Sequence, residues 1–220
     1  MTLPVIVLRP EPGASATAQR LAGAGANAIL FPLFTIEPLD WALPRLDGID
    51  GLLLTSANAV RHAGPQLDSL SHLPVWCVGA ATAGAARTAG LTIVGTGNGG
   101  VDDVLPSVPP TTRRLLWLAG QDRTAVHVPD GLTLEVAAVY RAAPTPDAQW
   151  PEIGACVVLV HSVRAGQAMA ALPIERDRVH LVVISDAVAA VCGTGWRSIA
   201  VAPAPRDAQM VAIAAKLCHD

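Results

Sequence analysis

Thr55, Ser56 and Asn58 stand directly after the apolar run GLLL (51–54), and Ser162 follows CVVLVH (156–161) in the same manner. Hydroxyl and amide side chains at the end of an apolar run suit the passage from a buried strand into a helix, whose first N–H groups they can cap. Such free N–H groups also attract anions. Each turn therefore reads either as a plain cap or as a cap that also grips an anion. Arg9, Arg123 and Arg164 each follow an apolar run as well. They read either as solvated surface cations or as three partners for an anionic ligand. Tyr140, the only tyrosine, ends the run LTLEVAAVY. It suits a hinge aromatic, or a phenol able to give or accept a proton.

Other chemistries find less support. Neither Ser56 nor Ser162 lies in G-x-S-x-G, and His161 cannot serve Ser162 as a base merely by adjacency. GTGNGG (95–100) matches G-x-G-x-x-G after the run LTIV, but no acidic residue ends a second strand about twenty positions later, as a dinucleotide site requires. It reads as a loop, and a nicotinamide cofactor is rejected. Lys216 is the only lysine and falls in the last helical segment, which disfavours Schiff-base chemistry. The six histidines show no metal-ligand spacing. Cys77, Cys156, Cys192 and Cys218 are far apart without a CxxC, as buried small hydrophobes in a reducing compartment would be. The expectation is therefore no metal and no cofactor.

The elements that must carry these residues alternate. Apolar runs at 4–8, 27–34, 51–55, 74–79, 91–95, 114–120, 132–140, 156–160, 180–185 and 198–202 read as strands, and Ala-rich segments between many of them read as helices. Continuous aliphatic runs separated by helices indicate parallel sheets covered on both faces. The pattern also repeats. GLLLTSANAV (51–60) is echoed by ACVVLVHSVRA (155–165), PVWCVGAATAGAARTAGL (74–91) by HLVVISDAVAAVCGTGW (180–196), and PVIVLRPEPG (4–13) by RLLWLAGQDR (114–123). The fold class expected is α/β, with two similar lobes. Residues 1–34 plus 145–220 form the first, residues 41–136 the second, and residues 35–40 and 137–144 cross between them. Two crossings would make a hinged cleft, with the hydroxyl turns at the carboxyl ends of strands, where open parallel sheets bind ligands.

The 220 residues are 51% hydrophobic, enough for two aliphatic cores, and the net charge of −3 argues against binding nucleic acid by bulk charge. No stretch reaches 18 uninterrupted apolar residues, and the N-terminus lacks the pattern of a signal peptide. A cytoplasmic protein with no membrane partner is expected.

VLRPEPG, LFPLFTIEPL, DGLLLTSANAV, VWCVGAATAGAARTAG, LLWLAGQDR, VAAVYRAAP, VVLVHSVRAG and VVISDAVAAVCGTGW, in this order, resemble the uroporphyrinogen-III synthase family over nearly the whole chain. The resemblance implies two α/β lobes joined by a two-stranded ladder and a monomer needing neither metal nor cofactor. It implies a reaction on a linear tetrapyrrole octacarboxylate, hydroxymethylbilane, which is closed to uroporphyrinogen III with loss of water and inversion of the last ring. Carried over by position, Tyr140 matches the proton donor to the leaving hydroxyl. Arg9, Thr55, Ser56, Asn58, Gly79, Thr82 and Ser162 match the family's substrate-binding turns. Gly120, Arg123, Arg164 and Ser185 join them as substrate-binding candidates, from their places just after apolar runs. Two positions depart from the pattern. Ser185 and Val188 stand where Gly and Thr are usual, and His161 stands where a small hydroxyl residue is common. Two other readings of the residues stay open beside it: a hinge-closing binding protein without catalysis, and a Rossmann-type oxidoreductase, the latter disfavoured by the glycine pattern.

Overall fold

A computed structural model of the chain describes residues 2–97, 100–123, 126–146 and 148–219. In chain order the first stretch forms β1 (Val5–Val7), α1 (Gly13–Gly23), β2 (Ala28–Leu30) and β3 (Phe34–Pro38). The middle forms β4 (Gly51–Leu54), α2 (Ala57–His62), β5 (Pro74–Cys77), α3 (Ala80–Thr88), β6 (Thr92–Thr96), α4 (Val101–Val104), β7 (Arg114–Gly120) and β8 (Thr133–Pro144). The remainder forms β9 (Cys156–Val160), α5 (Val163–Ala171), β10 (Val179–Val183), α6 (Asp186–Cys192), β11 (Ser198–Val201) and α7 (Asp207–His219). These elements gather into two compact units, Met1–Thr35 with Pro144–Asp220, and Ile36–Ala143.

The first unit carries a sheet in the order β11-β10-β9-β1-β2, with every pairing parallel. The sheet of the second runs β6-β5-β4-β7-β8-β3, and its pairings from β6 to β8 are parallel. Taken in these orders, β11 corresponds to β6, β10 to β5, β9 to β4, β1 to β7 and β2 to β8. The sequence echoes fall on these same partners: GLLL on CVVLV, PVWC on HLVV, and PVIVL on RLLWL.

Burial explains why the strands lack the alternation of a half-exposed sheet. In β4, Leu52 and Leu54 join the core that α2 and α3 cover, while Leu53 joins the opposite core with Trp76 and Trp117. Both faces are covered, so every position must be apolar. In the first unit, Val5 and Val7 pack with Leu21, Met210 and Ala214 of α1 and α7, and Ile6 between them is also buried. Each such aliphatic side chain contributes about 2 kcal/mol from burial. All four cysteines are free and buried, and burial pushes the Cys77 and Cys156 thiols up to about 11.

Several elements differ from the sequence expectation. The strand expected over 27–34 ends at Leu30, since Pro32 has no N–H to give the ladder, and β3 resumes at Phe34. α2 stops at His62 although the chain runs on through AGPQL. Gly64, at φ +71°, and Pro65 turn the chain into a 3-10 segment, Gly64–Leu70. β8 continues beyond Tyr140 to Pro144. In the GTGNGG stretch Thr96 ends β6 and Gly100 precedes the short α4, while residues 98 and 99 lie outside the described residues. No helix among the described residues is long and apolar enough to cross a membrane.

Candidate active site

In the second unit, β4, β5 and β7 run parallel, so the residues that follow them emerge along one edge of the sheet. At this edge lies a cleft of about 410 Å³, lined in part by Thr55, Ser56, Trp117, Gly120, Arg123 and Tyr140. Ser56 has extended backbone angles and caps α2, its Oγ accepting from the N–H of Asn58 at 3.1 Å. The Thr55 hydroxyl accepts from the Trp117 indole Nε1 at 3.0 Å. Arg123 holds its guanidinium 6.0 Å from the Trp117 ring centroid and donates to the Gln121 carbonyl at 3.3 Å.

A register shift places Tyr140. Along β7 and β8, Ala119 faces Ala138, but Gly120 faces Tyr140, leaving Val139 as an extra residue in β8. An unbulged ladder would set Val139 opposite Gly120; the bulge brings the tyrosine there instead. Val139 is fully buried, and Tyr140 lies half-buried against the same core. The phenol rests directly on Gly120. A Cβ there would lie 2.9 Å from Cζ and 3.0 Å from Oη of Tyr140. Gly120→Ala must displace the phenol, so kcat should fall about tenfold in steady-state assays while thermal unfolding changes little. An unchanged kcat would show that the contact with Gly120 does not set the phenol's working position.

His62, at the end of α2, stands with its ring centroid 6.3 Å from that of Tyr140. Burial, and secondly the charge of Arg61, push the pKa of its imidazole down. Sequence spacing alone gave no signal for either His62 or Trp117. Trp117 reaches the cleft through β4–β7 pairing, and His62 reaches the Tyr140 ring from the end of α2.

The other expected residues of this unit lie apart from the cleft lining. Asn58 accepts from Arg61 at 3.2 Å along α2. Gly79 precedes α3 in extended conformation, with open space where a side chain would stand. Thr82, one turn into α3, is buried.

In the first unit, Arg9, Ser162 and Ser185 follow β1, β9 and β10 at the corresponding edge of its sheet. Ser162 caps α5, accepting from the N–H of Ala165 at 3.1 Å. Arg164 lies 4.5 Å over the Phe34 ring. Ser185 precedes α6 without a side-chain cap bond, and its carbonyl accepts from Val188 and Ala189. Arg9 points to Thr17 and Asp207, at 3.5 Å each. Asp207, which opens α7, also accepts from Thr17 at 2.7 Å, from Arg20 at 2.7 Å and from His161 Nε2 at 2.7 Å. Burial alone would raise the Asp207 pKa. Hydrogen bonds from His161 and Thr17, with the charges of His161 and Arg9, outweigh it and hold the carboxyl well below the usual range. His161 thus takes up at the β9 turn the position that Thr55 holds at the β4 turn, but points to a carboxylate. Its Nδ1 is buried without a partner among the described residues. Among the described residues, no group of three or more His, Cys, Asp and Glu side chains is placed to hold a metal ion.

Two doubly covered sheets that share a five-strand parallel order, one bearing a polar cleft at the carboxyl edge where open parallel sheets bind ligands, define a two-unit α/β protein. The sequence profile described as uroporphyrinogen-III synthase HemD matches residues 15–212. The chain belongs to the uroporphyrinogen-III synthase family. Its fold is similar to that of uroporphyrinogen-III synthetase from Helicobacter pylori, with TM-score 0.69, 14% identity, and 98% of this chain and 99% of that chain covered. It is also similar to a mutant uroporphyrinogen III synthase from Thermus thermophilus, with TM-score 0.53, 16% identity, and 99% of each chain covered. No curated protein matches the sequence at a significant level.

Proposed function

We propose that the chain acts as a lyase, closing hydroxymethylbilane to uroporphyrinogen III, with Tyr140 as the proton donor to the departing hydroxyl. One observation carries this reading. In a chain of this family, a cleft at the carboxyl edge of a parallel sheet gathers a phenol, two hydroxyls and a guanidinium, with the Asp122 carboxylate beside them. The first step needs a proton at the hydroxymethyl oxygen of ring A, so that the C–O bond breaks, water leaves and an azafulvene-type cation remains. The already substituted carbon of ring D then attacks, and the spiro centre formed fragments and recloses with that ring turned around.

An unguided chain closes instead at the unsubstituted carbon and gives isomer I. Positioning must therefore supply most of the selectivity, and fixed dipoles must steady the developing charge. Thr55, Ser56 and Arg123 are placed to hold substrate carboxylates beside Tyr140. The chain is expected to work as a cytoplasmic monomer. Incubation with hydroxymethylbilane, followed by separation of product isomers, tests the reading. Isomer III above the uncatalysed background is expected, whereas unchanged isomer I marks a binding protein without catalysis.

A further inference from the structure

We infer that Trp117 is a positioning residue that turns Thr55 into a hydrogen-bond donor aimed at a substrate carboxylate. The inference rests on reading the second unit's cleft as the substrate site. A threonine hydroxyl has one proton to give and two lone pairs to fill. Indole Nε1 can only donate, so the 3.0 Å contact commits a Thr55 lone pair to Trp117. Among the described residues Thr55 has no other hydrogen-bond partner, so its own proton is left for the cleft that both residues line. Without the indole, the hydroxyl could rotate and spend its proton elsewhere.

The pair is held rigidly. Trp117 is 5% exposed, packed with Leu53, Trp76 and Ala119, and Leu53 precedes Thr55 by two positions on the neighbouring strand. Arg123 stands over the same indole, so one aromatic plane supports the cation and orients the hydroxyl. A buried indole needs some acceptor in any fold. That need alone predicts no dependence on bound ligand, which is where the two readings separate.

The test uses Trp117→Phe, Thr55→Val and the double variant, with hydroxymethylbilane as substrate and anaerobic titration with uroporphyrinogen III as the binding measurement. Each single variant is expected to raise KM and the product's Kd about fivefold, with kcat changed less than about twofold. The double variant should be no weaker than Thr55→Val alone, because the indole acts through the hydroxyl. Trp117→Phe indistinguishable from the parent chain, or a double variant whose losses multiply, overturns the inference. Should Trp117→Phe fail to fold, the indole N–H resonance of the parent chain decides. It should move when product binds and stay still in Thr55→Val; a resonance that product leaves unmoved in the parent chain overturns the inference. If the parent chain neither converts hydroxymethylbilane nor binds the product, the reading of the cleft fails and the inference with it. Conversion with an unaffected Trp117→Phe removes the inference alone.

Discussion

Replacing Tyr140 by Phe is expected to lower kcat on hydroxymethylbilane about a hundredfold while thermal unfolding and circular dichroism remain those of the parent chain. The ring stays packed on the core beneath it, and only the oxygen at the cleft is lost. Among the described residues no hydrogen bond ties the Tyr140 hydroxyl to the protein, so its removal leaves no buried group unpaired. Stability and turnover should therefore separate cleanly. An unchanged kcat would remove the phenol from proton transfer and leave positioning as the source of catalysis. A large loss of stability would mean that the tyrosine serves the fold instead.

Asp207→Asn should destabilise the first unit by about 3 kcal/mol, read from denaturant unfolding at neutral pH. The weight of that effect falls on the shielded bonds. The Asp207 side chain is 15% exposed and His161 8%, whereas Arg9 and Arg20 are 33% and 51% exposed and contribute little across solvent. An amide turns its own N–H protons toward groups that already donate, and Thr17 and His161 lose the charge they face. The folded carboxyl ionises below its ordinary value of 3.8. Between the folded and unfolded values the native state binds fewer protons, so stability there rises with pH. The carboxylate's contribution is complete above about pH 5 and is lost as pH falls below about 4. The gap between parent chain and variant should narrow over that range. A constant gap from pH 7 to pH 3 would show that charge at Asp207 is not its source.

Much of this molecule can be read from its sequence, because doubly covered strands leave continuous apolar runs and helix starts leave hydroxyls. CVVLV falls on β9 residue for residue, and the Ala-rich segment between 79 and 91 forms α3, with Gly90 at φ +80° just beyond its end at Thr88. Side chains that meet across the sheet are harder to read. Tyr140 stood out by being the only tyrosine, but its seat over Gly120 depends on one extra residue in β8, and no local pattern marks a bulge. Trp117 lies within the apolar run RLLWLAG, and it packs in the core. Its indole reaches Thr55, 62 positions away in sequence, only because β7 lies beside β4. Asp207 opens α7, while its partners Thr17, Arg20 and His161 come from two distant stretches of chain.

The way the two units share the polypeptide has a consequence for its synthesis. β1 sits between β2 and β9, and β9 begins at Cys156. As the chain leaves the ribosome, the first 35 residues must therefore wait while the uninterrupted unit Ile36–Ala143 is made and can close its own core. Until the last third of the chain arrives, the wholly apolar Val5–Val7 segment has one exposed edge and no covering helix α7. Through that interval the nascent N-terminal arm needs shielding from other unpaired strands.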